Sequence, residues 1–376
     1  MAPTRKIWVI TFECVPYPGG QATFSYEMAR AFAGLGHTVE VIAPDYGVDQ
    51  VAVDAALPFR VQRVLRHQKL RLKTVLAVLR ALRGVRADDI VLACEIRSGL
   101  ATTVARCLGY RFKKIQMYHG GEIIRAGYGR FGWLGNALAG AFAQKLVGIS
   151  HYTAGMVTQY LKRPCTIVLL GVGRDWFTPP AEQFDNPQLA VLPTDRPWLS
   201  TVARVARRKG HLPAIAALQK MQAAGALPYF YIIAGKVVDE AYMSELQAAM
   251  AATNGQAIYV GQLSSSDVKL LYARSTLFLL AATLERGDVE GFGLVITEAG
   301  AQGCPAVATR VGGIPDALQE GKSGLLCVEN DIPGMAQAIQ SVLTQTDLRA
   351  QLGQGAKAYA ASLTWERNAQ TMLEGL

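Results

Sequence analysis

No apolar run in this 376-residue chain reaches the roughly 18–20 residues that a membrane-spanning helix needs. The six cysteines (Cys14, Cys94, Cys107, Cys165, Cys304 and Cys327) are scattered, and none forms a CxxC pair. The five histidines are equally dispersed. That spacing argues against a structural zinc framework and suits the reduced thiols of a cytoplasmic protein. No Asp-x-Asp arrangement offers to hold a divalent metal against a diphosphate. Low-complexity tracts and short-period repeats are absent. So is a charged-then-apolar signal segment ahead of the first strand at Lys6 to Glu13, which again implies a cytoplasmic location. Acidic residues are in short supply, 29 against 38 Lys and Arg, which leaves a net charge of +9. The excess is local. Between Arg60 and Lys114 the only acids among the many cations are Asp88, Asp89 and Glu95, while the rest of the chain is slightly acidic. Such a patch suits a phosphorylated substrate, an anionic membrane or a solvated face. A nucleic-acid partner is disfavoured, because the patch lacks interleaved aromatics and no reading motif is present.

The chain is 51% hydrophobic and long enough for two domains. A short β-rich run, a turn and a helical stretch alternate along it. The first series of strands is expected at Ile7–Glu13, Thr38–Ala43, Asp89–Ala93, Lys114–Tyr118 and Lys145–Ile149. A second is expected at Trp198–Val202, Tyr229–Ala234, Ala257–Val260, Leu277–Ala281, Ala306–Thr309 and Gly324–Cys327. Alternation of this kind implies parallel sheets with helices on both faces. Pro179, Pro180, Pro193 and Pro197 mark a linker-like break between Gly171 and Arg196. The expected division is an N-terminal Rossmann-like domain at 1–172, a C-terminal one at 173–362, and a last helix at 363–376 that crosses back to the first.

The most informative segment runs from Glu290 through Gly291, Phe292, Gly293 and Leu294 to Glu298. It follows one strand and precedes another. The glycines allow a tight turn and close approach of a ligand, and a helix opening at Leu294 presents unpaired N–H groups that favour phosphate. Glu290 and Glu298 are acceptors for hydroxyl donors. This Glu-x7-Glu segment resembles the group 1 family of retaining GT-B glycosyltransferases. Five further segments agree in order: Pro16 to Gly20 with Gly36-His37, His119 to Glu122, Ser150-His151, Arg204-x4-Lys209-Gly210, and Gly324 to Leu326 with Leu363 to Trp365.

The resemblance implies an α/β GT-B fold, with two Rossmann-like doubly wound domains facing across a cleft. It implies hexose transfer, with retention and without a metal or cofactor, from a nucleoside-diphosphate sugar to a hydroxyl acceptor. The acceptor would be lipid-linked or a glycan, in cell-envelope or polysaccharide biosynthesis, and would lie on the N-terminal domain. Carried over, the catalytic set is His119, Arg204, Lys209 and Glu290. Arg204 and Lys209 would neutralise the donor diphosphate, with backbone amides of Gly19 and Gly20 beside it. Glu290 would hold sugar hydroxyls, Glu298 the ribose, and the Gly291, Phe292, Gly293 and Leu294 segment the sugar or β-phosphate. Gly235 and Gly261 would line the nucleotide side. Three features depart from the family pattern: a longer loop at Thr283–Val289, Leu170-Gly171-Val172-Gly173 in place of Asn-Gly-Val-Asp, and a single glycine at Gly235-Lys236.

Arg60, Arg63, Arg66, Lys69, Arg71 and Lys73 lead into a helix with Leu72, Val75, Leu76, Leu79 and Leu82 on one side and Lys73 and Arg80 opposite. A cationic amphipathic element of this kind implies peripheral contact with an anionic membrane. Two other readings compete. One is a sugar-nucleotide epimerase or hydrolase on the same fold, which would consume donor without an acceptor. The other is a non-catalytic nucleotide-sugar-binding protein.

Overall fold

A computed structural model describes residues 4–17, 19–47, 50–66, 70–125, 132–225 and 228–376, with the side chains of Arg66 and Arg125 left undescribed. The chain divides into two compact units, Met1–Gly171 with Thr364–Leu376, and Val172–Leu363.

The first unit holds β1 (Lys6–Ile10), β2 (Thr38–Asp45), β3 (Arg60–Arg66), β4 (Ile90–Ala93), β5 (Lys113–Tyr118), β6 (Ala143–Gly148) and β7 (Cys165–Ile167). They form one sheet in the order β3-β2-β1-β4-β5-β6-β7, and every pairing is parallel. The second unit holds β8 (Trp198–Val202), β9 (Phe230–Ala234), β10 (Ala257–Tyr259), β11 (Leu277–Leu280), β12 (Ala306–Thr309) and β13 (Gly324–Cys327). Their order is β10-β9-β8-β11-β12-β13, again wholly parallel. Parallel strands need helical crossovers, and the helices cover both faces, so alternate side chains of one strand enter different cores. Along β9, Tyr231 and Ile233 join one cluster with Leu199 and Leu279, while Ile232 and Ala234 join another with Trp198 and Leu270.

Both sheets reverse direction of growth once, between β1 and β4 and between β8 and β11. In open α/β sheets, ligands sit beyond the carboxyl ends of strands at such a switch point.

Two expectations need correction. Arg60–Arg66 is not a lead-in to a helix but the edge strand β3, paired with β2. The Pro-rich stretch after Gly171 is packed onto the second unit rather than free: Trp176 lies against Tyr272, and Phe184 stacks on Trp198 at 5.8 Å. Buried aromatics outweigh the local proline signal there.

Candidate functional site

The second unit's switch point places two loops side by side. After β8, residues Arg207–Lys209 form a single 3-10 turn, and Gly210 turns left-handed to open the helix His211–Ala223. A Cβ at Gly210 would fall 1.7 Å from the Ala281 carbonyl oxygen, so only glycine lets this helix start so close to β11. Thr283 N–H donates to the Arg208 carbonyl at 2.9 Å, which ties the loop after β11 to the loop after β8.

The tight turn separates neighbouring cations. Arg207 points outward to the exposed Glu245. Arg208 and Lys209 point inward and are buried. Arg208 Nε donates to Asp288 Oδ2 at 3.0 Å, and its Nη1 donates to Glu290 Oε2 at 2.7 Å. Lys209 Nζ donates to the same Glu290 oxygen. Burial would raise the Glu290 carboxyl, but Lys209 and then Arg208 outweigh it and hold it down at about 2. Burial lowers the Lys209 ammonium, Glu290 opposes that, and Arg208 and Arg204 reinforce it. Arg204 itself is exposed at the start of the loop.

Glu290 is also clamped through its backbone. Gly313 N–H donates to its carbonyl at 2.8 Å, and Gly312, at φ 56°, would carry a Cβ only 2.3 Å from that oxygen. Three residues on, Gly293 in the left-handed region starts the helix Leu294–Ala301, whose first turn has no side-chain cap and no acid. Its leading amides are therefore open to an anion. Phe292 is buried beneath this turn. Glu298 is half-buried one turn into the helix and has no hydrogen-bond or ion-pair partner among the described residues. Burial pushes its carboxyl up to about 7. Gly235 and Gly261 lie beyond β9 and β10, joined by a 2.8 Å bond from Gly235 N–H to the Gly261 carbonyl.

In the first unit, Gly19 and Gly20 open the helix Gly20–Gly34, again with no side-chain cap, beyond the end of β1. Glu95, beyond β4, accepts the Phe12 N–H at 3.1 Å and caps the next helix through Ser98. Burial pushes its carboxyl to about 7. His119, beyond β5, is buried with Nε2 2.7 Å from the Cys94 carbonyl and its ring edge-on to Phe24. A carbonyl only accepts, so Nε2 carries the proton in this contact.

Residues 183–359 match the family model described as Glycosyl transferases group 1, and residues 18–175 match Glycosyltransferase Family 4. The chain belongs to the group 1 glycosyltransferases. A D-inositol 3-phosphate glycosyltransferase of Jonesia denitrificans is 31% identical over 214 residues, covering 55% of this chain and 50% of that protein. The Corynebacterium jeikeium enzyme of the same name is 43% identical over 83 residues, 22% of this chain and 20% of that one. The matched region thus spans half or less of these curated relatives. Among solved structures, Anabaena HepE in complex with UDP and glucose has a TM-score of 0.79 at 19% identity, over 98% of both chains. Sucrose-phosphate synthase from Thermosynechococcus elongatus has a TM-score of 0.76 at 20% identity, covering 98% of this chain and 97% of that one. The shared fold is GT-B.

In this group 1 glycosyltransferase the structure brings together Lys209, Glu290, Gly291, Phe292, Gly293 and Leu294, with Arg204 close enough for Lys209 to feel its charge. Gly19, Gly20 and His119 belong to the first unit. Sequence reasoning missed Arg208. Asp288 and Glu290, two residues apart, both meet Arg208, but the run Arg207-Arg208-Lys209 does not by itself say which cation turns inward.

The cationic residues of the first unit do not form one surface. Arg63 is held internally, its Nε 2.6 Å from Asp54 and its Nη2 3.0 Å from the Val15 carbonyl. The position of Arg66 is described only in its backbone, and Lys69 lies outside the described residues. Arg71, Lys73 and Arg80 are exposed on or beside the helix Leu72–Ala81. That helix buries Thr74 and Val78 and packs Leu79 on the core, with Leu82 buried just beyond its end, and leaves Leu72 76% and Leu76 40% exposed beside Lys73 and Arg80. Among the described residues no helix is long and apolar enough to cross a membrane, and no cluster of three or more His, Cys, Asp or Glu could hold a metal ion.

Proposed function

We propose that this chain is a retaining glycosyltransferase. It moves a hexose from a UDP- or GDP-linked sugar to an acceptor hydroxyl on a lipid-linked or glycan acceptor of cell-envelope or polysaccharide synthesis. The observation that carries the reading is the pairing of Lys209 with Glu290 beside the uncapped Leu294–Ala301 helix. Cation and amides suit a diphosphate, and the carboxylate suits the hydroxyls of the attached sugar.

In the reaction, charge grows on the departing diphosphate while the sugar becomes oxocarbenium-like. Lys209, Arg204 and the amides of Gly293 and Leu294 neutralise that charge, already oriented and without a metal. Glu290 binds sugar hydroxyls rather than attacking the anomeric carbon, because its oxygen is engaged by two cations and its basicity is low. Transfer is then front-face, with the leaving phosphate assisting deprotonation of the acceptor. Glu298 receives the ribose hydroxyls, Gly235 and Gly261 flank the nucleotide, and Gly19, Gly20 and His119 serve the donor from the first unit. The uncovered Leu72 and Leu76 beside Arg71, Lys73 and Arg80 favour a peripheral position on the inner face of an anionic membrane.

The test is thermal stabilisation by UDP-, GDP- and ADP-sugars, each with Mg²⁺ or with EDTA. A saturating ligand at a hundredfold excess over Kd adds about 2.7 kcal/mol. The expected result is stabilisation by one nucleotide class, UDP or GDP, equal in EDTA. Stabilisation that vanishes in EDTA overturns metal independence, and stabilisation by none overturns the donor site. A competing hydrolase or epimerase reading would require donor consumption without acceptor.

A further inference from the structure

The two cations that meet Glu290 are not equivalent. Both Arg208 Nη1 and Lys209 Nζ donate to the same oxygen, Oε2, while Oε1 accepts no hydrogen bond among the described residues. A lysine head is a point charge on a flexible stem, free to turn from one anion to another. Arg208 has no such freedom. Its planar fork is bonded at one edge to Asp288 and at the other to Glu290, and its side chain is only 10% exposed. Asp288 comes from the Thr283–Val289 loop, whose extra length is this chain's departure from the family pattern. That loop closes on itself through Glu285 and Asp288, and is tied to Arg208 through Thr283.

We propose that Arg208, anchored by Asp288, is a positioning residue that holds Glu290 in place to read the sugar independently of the phosphate contacts of Lys209. The inference rests on the donor-site reading above. A diphosphate drawing on Lys209 would pull Glu290 along if that were its only partner, because carboxylate and phosphate compete for one ammonium. With Arg208 bonded to Oε2 and itself braced by Asp288, the carboxylate stays put and presents Oε1 to a hydroxyl. The extended loop and the arginine before Lys209 thus act as a matched pair.

The experiment measures calorimetric Kd for UDP and for UDP-glucose, with GDP and GDP-mannose in parallel, on the full chain. The comparison of nucleotide with nucleotide sugar isolates the sugar contact. In R208Q, affinity for the sugar nucleotide should fall about tenfold, the loss expected for a charge-assisted hydrogen bond. Affinity for the bare nucleotide should change about twofold or less. E290Q should show the same pattern, and R208Q/E290Q should lose little more than either alone, since residues acting as a unit are not additive. R208K should recover part of the loss, and D288N should show a smaller loss of the same kind. If R208Q does not fold, R208K and D288N carry the test, the latter altering a side chain that is 43% exposed. Equal weakening of nucleotide and nucleotide sugar would make Arg208 a phosphate ligand and overturn the proposal, as would no change in either. A wild type that binds neither pair overturns the donor-site reading itself, and this inference with it.

Discussion

Glu290 and Glu298 are eight residues apart on one loop and helix, yet their surroundings drive them in opposite directions. Two cations keep Glu290 ionised down to about 2, whereas burial without a partner raises Glu298 to about 7. The consequences for stability have opposite sign. A carboxyl with a raised folded-state value binds its proton more tightly when folded, so its cost to stability builds up from about pH 4.5 to pH 7 and is fully present above that. Glu290 contributes stability above about pH 4.5, lost as the pH falls towards 2. E298Q should therefore raise the free energy of unfolding by about 1–3 kcal/mol at pH 8 and change little at pH 4. It should also weaken binding of the preferred nucleotide. Denaturant titration at the two pH values checks the first part, and a variant less stable at pH 8 would count against an unpartnered carboxylate held for function. Both glutamates and Lys209 were legible as a spaced motif. Arg208 was not, because in a run of three cations only the turn decides which points inward.

At the scale of elements, the helix Leu72–Ala81 brings only the later part of its apolar stripe to the core, where Leu79 packs beside Val78. The core takes Thr74 and Val78 from it, and Leu72 and Leu76 are left beside Lys73 and Arg80. On a membrane surface both groups would find partners, the leucines in the acyl boundary and the cations at phosphate headgroups. The protein should sediment with vesicles containing phosphatidylglycerol at low salt and release as salt rises. L72S/L76S should lose most of that binding and keep its melting temperature, since neither leucine is in the core. Equal sedimentation by the variant, or none by the wild type, would remove the membrane assignment. Most strands were readable because a parallel strand buried on both faces is a continuous apolar run, as at Ile90–Ala93 and Leu277–Leu280. β3 was not readable. It is an edge strand, and Arg60, Gln62 and Arg63 interrupt its apolar positions, so it looked like the start of a basic helix. β7, at three residues, was too short to register.

Over the whole molecule, the last thirteen residues complete a unit that began far away in sequence. The helix Trp365–Leu373 buries Trp365, Ala369 and Met372. Trp365 meets Phe24 of the helix Gly20–Gly34 edge-on at 6.0 Å. It also packs so tightly on Gly171 that a Cβ there would lie 2.8 Å from its ring. Asn368 Nδ2 donates to the Leu169 carbonyl at 2.7 Å, and Lys145 Nζ binds the carbonyls of Thr371 and Glu374 at 2.9 and 2.6 Å. A nine-residue helix is not stable alone, so its order comes from this packing. The packing in turn covers apolar surface of the first unit. Burying Trp365 and Met372 contributes about 5 kcal/mol, comparable to the whole stability of a small domain. Deleting residues 364–376 should therefore loosen the first unit and spare the second. Hydrogen exchange reads the two separately: amides of the helix Gly20–Gly34 and of β6 should exchange much faster in the deletion, while those of β8, β9 and β11 keep their protection. Unchanged protection throughout would mean that the terminal helix only rests on the first unit, and equal loss in both would mean that the two sheets fold as one cooperative body.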